Sequence, residues 1–167
     1  WRYQVNDDIL MTWLVSGNYT GTAEPYLIFM HPLWTHILSF LYSYSVGIPW
    51  YAIQTFLVLA VSAFFGINIV QEAVTNRTAK FLLTILILCI TWHIAYFPQF
   101  TLVAGWATVT SLFYIHFVKG QNSRLFFAWG LFSVSAMIRL ESAGLILLGY
   151  CIFAWGPGFK KHEIKIA

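Results

Sequence analysis

The chain has 167 residues, of which 59% are hydrophobic, 19% aromatic and only 9% charged, and its nine bases and six acids leave a net charge of +3. A soluble domain carries about 25% charged residues, so this composition excludes an ordinary water-facing surface and indicates a membrane protein. The bases are spread along the chain instead of clustering with aromatics, which gives nucleic-acid binding no support, and Cys89 and Cys151 lie in separate apolar runs that indicate neither a disulfide framework nor a zinc site.

Residues 1–47 do not read as a spanning segment, because Asn6, Asp7, Asp8, Asn18, Glu24, His31 and His36 interrupt every hydrophobic window. Asp7 or Asp8 can cap a helix, and Ile9, Leu10, Met11, Trp13, Leu14 and Val15 supply a short apolar stripe behind them. Gly17 and Gly21 mark turns. From His31 to Ser45, Leu33, Trp34, Ile37, Leu38, Phe40, Leu41 and Tyr44 recur near i, i+3, i+4, i+7, with Thr35, His36, Ser39 and Ser43 elsewhere. The pattern predicts two amphipathic helices in an extracytoplasmic loop, lying at the headgroup level that Trp and Tyr favour.

Residues 48–167 predict an all-α transmembrane helix bundle of about five spans. Ile48 to Val70 comes first and is introduced by Gly47 and Pro49. Phe81 to Phe97 follows and is closed by Pro98, which cannot donate the hydrogen bond that would continue a helix. Phe100 to Val118 is the third. Ser123 to Arg139 and Ser142 to Trp155 are shorter, and about 15 residues at 1.5 Å each reach less than the roughly 30 Å of hydrocarbon. They read either as two tilted or thinned spans or as one broken helix.

Basic residues separate the turns into two sets: Arg77 and Lys80, then none, then Lys119 and Arg124, then Arg139 alone, then Lys160, Lys161 and Lys165. By the positive-inside rule the basic turns are cytoplasmic. The start of the first span, the Pro98 turn and the Arg139 to Glu141 turn then share the extracytoplasmic side with Asp7 and Asp8.

Several polar residues fall at that side. Arg139 ends an apolar run, where an unpaired guanidinium is costly and attracts an anion; its planar fork suits a phosphate, with Glu141 able to orient it or to stand in as partner. A plain Arg139–Glu141 pair with snorkelling side chains accounts for the same two residues equally well. His93 could hydrogen-bond a phosphate or a sugar hydroxyl, although a packing role is the commoner one for a lone intramembrane histidine. His116 falls at the cytoplasmic end and reads as structural. His31 and His36 are five apart, not the four that would set two metal ligands on one helix face. Ala104, Gly105, Ala107, Thr108 and Ser111 form a small-residue stripe suited to close helix packing.

The order Asn6-Asp7-Asp8, Ser16-Gly17-Asn18-Tyr19-Thr20-Gly21-Thr22, Leu27-Ile28-Phe29, Leu41-Tyr42, Trp50-Tyr51, Phe100-Thr101 and Ile138-Arg139 with Glu141-Ser142 resembles the polytopic membrane glycosyltransferases of the C type, in the branch that assembles bacterial polysaccharides. The resemblance runs over nearly the whole chain. It implies a multi-pass protein of the plasma (inner) membrane that transfers a sugar, with inversion, from a polyprenyl-phosphate donor to a glycan, lipid or protein acceptor at the extracytoplasmic face. One acid of the Asp7-Asp8 pair is then the base, and a divalent cation such as Mg or Mn is a possible cofactor held through Asp8. Members of the family carry a helix before the acidic pair and more helices after the last one here. Arg2 and Tyr3 look like the end of such a helix, so the resemblance also implies that these residues are part of a longer enzyme. Tyr26 stands where related sequences carry a histidine.

The chemistry needs a base for the acceptor proton and a cation for the departing phosphate. Asp7 is the expected base, with Asp8 capping the helix, orienting its neighbour or holding an ion, and Arg139, His93 and Glu141 form the expected donor-phosphate set. Reacting groups must share one cavity, so side chains more than about 15 Å apart could not straddle one scissile bond. Two other classes fit the same residues: a transporter using Arg139, Glu141 and His93 as a relay, and a non-catalytic scaffold or inactive truncated homologue.

Overall fold

The computed structural model describes residues 6–117 and 122–155; Arg2, Tyr3, Lys119, Lys160, Lys161 and Lys165, used above to read topology or chain continuity, lie outside them. The described residues form seven helices and no strand: α1 Asn6–Ser16, α2 Pro32–Tyr44, α3 Trp50–Ala73, α4 Arg77–Tyr96, α5 Phe100–Phe117, α6 Asn122–Ile138 and α7 Leu140–Trp155. Three of them, α3, α4 and α5, are long and apolar enough to cross a membrane, while α6 and α7 are shorter apolar helices. The described residues are thus all-helical, and three of their helices suit a multi-pass membrane protein.

Helix ends follow local chemistry more than hydrophobicity. The α4 helix begins four residues ahead of its apolar run because the Asn76 side chain accepts the Ala79 N–H at 3.0 Å, satisfying one of the free donors of a first turn. It stops two residues short of Pro98. Gly17 takes φ +80° in the turn after α1, and a Cβ there would stand 2.9 Å from the backbone of Thr22 and Ala23, so the turn requires glycine. His31 caps α2 through Nδ1, which accepts the Leu33 N–H at 3.2 Å, and Pro32 occupies the first turn, where its missing donor costs nothing.

Contacts between helices fix their directions. Phe65 on α3 meets Tyr114 on α5 with ring centroids 4.5 Å apart, and Asp8 touches both Tyr51 and Phe100, so α3 and α5 run the same way. Between them α4 returns: a Cβ on Gly66 would lie 3.2 Å from Ile87, and Gln71 reaches Thr84. The α6 helix also runs against α5, since Ser135 Oγ lies 2.8 Å from Thr108 Oγ1 while Arg139 reaches Phe100. With Ile146 beside Gly105 and Tyr150 beside Phe113, α7 turns back along α5. Thus α6 and α7 are two segments of opposite sense meeting at a corner. Arg139 is that corner: its N–H donates to the Ser135 carbonyl at 2.9 Å and its own carbonyl accepts the Ala143 N–H at 3.1 Å.

Packing explains the stripe of small residues. Ala104, Ala107, Thr108 and Ser111 are wholly buried on α5, which lies at the centre with α3, α6 and α7 around it. Small side chains let backbones approach closely where lipid supplies no hydrophobic drive. By contrast α4 rests on α3 along one side, and Ile94 is the one buried residue of that helix.

The bundle therefore has two unlike ends. At one, Glu72 pairs with Arg124 at 2.9 Å, and Arg77 and Lys80 stand nearby at the start of α4. At the other, α1 and α2 cover the starts of α3 and α5 and the α6–α7 corner. Their attachment is polar as well as apolar: Tyr51 N–H donates to the Tyr42 hydroxyl at 3.0 Å, Trp34 Nε1 donates to Gln54, and His31 N–H donates to the Met137 carbonyl at 2.8 Å. Met11, Val15, Leu27, Met30 and Leu38 fill the space beneath.

Candidate functional site

Asp8 lies in the first turn of α1, where a helix N-terminus favours negative charge, yet its carboxylate points into the protein and the residue is only 1% exposed. Burying a carboxylate demands donors. Oδ1 finds two: the Tyr51 hydroxyl at 2.8 Å and the Phe100 N–H at 3.2 Å. The second is one of the free donors that begin α5, so Asp8 serves as an acceptor at the start of a helix 92 residues away. Oδ2 is buried and has no partner among the described residues. Burial pushes the Asp8 pKa up to about 6; the Tyr51 and Phe100 hydrogen bonds pull against that rise, and the neighbouring charge of Asp7 adds to it. Asp7 itself is exposed, one residue back on the same turn.

Arg139 projects from the α6–α7 corner to the same Phe100. Its guanidinium carbon is 5.1 Å from the Phe100 ring centre and 4.5 Å from that of Phe29, and the two rings stack with centres 5.8 Å apart. These three distances set the cation over the seam of the ring pair, on one side of it, a contact that stabilises a partly desolvated charge. Nε lies 3.2 Å from Glu141 Oε2, but the pair is not aligned as a hydrogen bond, and Nη1 is buried without an acceptor among the described residues. Since Asp8 holds the amide of Phe100 and Arg139 rests on its ring, carboxylate and guanidinium are within about 14 Å of one another.

Other expected site residues sit elsewhere. His93 is in the last turn of α4 at the same end of the bundle, exposed, with its ring against Phe97 at 6.1 Å. His116 pairs with the Tyr150 hydroxyl at 2.9 Å near the opposite end. Among the described residues no group of three or more His, Cys, Asp and Glu side chains comes together, so the donors present do not fit a divalent cation held by the protein alone.

Tyr51, Phe29 and the Phe100 amide are the site members that residue-by-residue reading passes over. Pro98 forces a fresh helix start at Phe100, whose orphan N–H needs an acceptor, and a buried acid needs donors; those two requirements together are the available signal. Comparison with protein-family models, with curated proteins and with solved structures yields no match to this chain.

Proposed function

We propose that the chain carries the acidic pair and phosphate-binding arginine of a membrane glycosyltransferase of the C type, acting on a polyprenyl-phosphate-linked sugar at the extracytoplasmic face of the plasma membrane. One observation carries this reading: Asp8 and Arg139, each with an unpaired buried atom, meet on the single residue Phe100. Sidedness supports it. Arg77, Lys80 and Arg124 gather at the far end, which the positive-inside rule assigns to the cytoplasm. The α2 helix, with Leu33, Ile37, Phe40 and Tyr44 exposed at helical spacing, suits an interfacial position beside the outer leaflet.

In this reading Asp7 is the base. It takes the proton of the acceptor hydroxyl as that oxygen bonds the anomeric carbon from the face opposite the phosphate. The bond from the anomeric carbon to the phosphate oxygen breaks, and polyprenyl phosphate leaves as an anion stabilised by Arg139. Asp8, tied to Tyr51 and Phe100, holds the first turn of α1 so that Asp7 faces the acceptor. The test is transfer from a polyprenyl-phosphate sugar in membranes containing the protein. Asp7→Asn should lower turnover by about a hundredfold or more. Undiminished turnover in Asp7→Asn, Asp8→Asn and the double variant would remove the proposal, as a transporter or scaffold would be little affected.

A further inference from the structure

Glu141 stands beside the Arg139 guanidinium, yet a carboxylate there repels a phosphate instead of binding one. Three features of the pair bear on its purpose. The contact is poor, with Oε2 3.2 Å from Nε and no hydrogen-bond alignment. Glu141 is 64% exposed along its side chain, whereas Arg139 is only 21% exposed. Glu141 also lies in the first turn of α7, whose N-terminus and surrounding water stabilise its charge whether or not Arg139 is engaged. Arg139, in turn, is held by the Phe29 and Phe100 rings, and neither of those contacts uses its N–H groups.

We infer that Glu141 is the resident counter-ion of Arg139, displaced when a phosphate group enters and so setting how tightly the site holds it. The inference rests on the reading of Arg139 as a phosphate site. Displacement exchanges a misaligned ion pair for charge-assisted hydrogen bonds from a planar fork to the phosphate oxygens. The released carboxylate keeps its helix start and its hydration, so the exchange leaves no buried charge unpaired.

The sign of one substitution decides it. Purified protein in neutral detergent is titrated with decyl phosphate and, separately, with inorganic phosphate, and binding is followed by calorimetry and by the shift in unfolding temperature. Glu141→Gln should bind the preferred probe about three- to fivefold more tightly than the parent, the scale of an exposed ion pair, and Arg139→Gln should abolish binding. Tighter binding of decyl phosphate identifies the ligand as a lipid headgroup, and tighter binding of inorganic phosphate as a free anion. Glu141→Ala repeats the measurement without a side-chain amide that could itself contact Arg139. Equal or weaker binding in both Glu141 variants, with the parent still binding through Arg139, overturns the counter-ion role and leaves the phosphate site standing. No binding of either probe to the parent or to either Glu141 variant overturns both.

Discussion

Tyr51 donates its hydroxyl to Asp8 Oδ1 at 2.8 Å across 43 residues of sequence, and its own N–H donates to the Tyr42 hydroxyl oxygen, so one residue joins α1, α2 and α3. Removing that hydroxyl isolates the polar tie from the packing, because phenylalanine keeps the ring. Tyr51→Phe should destabilise the docking of α1 by about 1.5–3 kcal/mol where Asp8 is ionised and by about 1 kcal/mol where it is neutral. Hydrogen exchange of the α1 amides at pH 5 and pH 7.5 measures both.

The Asp8 pKa also predicts a pH dependence of stability. A carboxyl raised from 3.8 to about 6 binds its proton more tightly in the folded protein, so folding is favoured at low pH. The contribution is full below about pH 4 and is lost as the pH climbs through 6. Across that window unfolding free energy should fall by roughly 2–3 kcal/mol. Asp8→Asn, which cannot ionise, should flatten this part of the profile in detergent melts; an equal slope in parent and variant would contradict the assignment.

Stability and activity should part company at Arg139. A guanidinium with a buried, unpaired Nη1 contributes little to folding, and replacing such a charge by an apolar side chain of similar size is often neutral or stabilising. Arg139→Leu should therefore melt within about 1 kcal/mol of the parent, or above it, while losing the proposed sugar transfer by about a hundredfold. Arg139→Lys should keep the charge but not the fork, and recover only a small part of the activity.

Thr108 and Ser135 give a test away from the site. Their hydroxyls meet at 2.8 Å between α5 and α6, one donating to the other, while the second hydroxyl proton goes to a carbonyl of its own helix, Ala104 for Thr108 or Phe132 for Ser135. Thr108→Val keeps the shape and removes the bridge. The expected cost is about 0.6 kcal/mol, the usual worth of such a bond between membrane helices, with the proposed sugar transfer unchanged.

Most helices were legible from hydrophobic windows and breakers, because apolar runs and prolines act within a few residues of themselves. Pro98 ends one run and Gly47–Pro49 opens another, and α3, α4 and α5 lie within a few residues of their predicted bounds. Less legible was the stretch after Ser123. Hydrophobicity cannot distinguish one broken helix from two segments, and the answer comes from Ile146 against Gly105, a contact between distant parts of the chain. The acidic pair and Arg139 stood out as polar residues in apolar surroundings. Which acid is buried did not, since the Tyr51 hydroxyl and the Phe100 amide that receive Asp8 are assembled only by folding. His93 reads from sequence as a phosphate or sugar-hydroxyl partner or a helix-packing group, and the structure leaves it exposed with its ring near Phe97.

Phe100 addresses Asp8 with its main chain and Arg139 with its ring. The two attachments differ in what an exchange of amino acid can reach. Every residue except proline offers Asp8 the same amide, whereas only an aromatic one gives the guanidinium a floor. A single codon can thus loosen the arginine and leave the aspartate anchored, so the two halves of the site can be tuned one at a time.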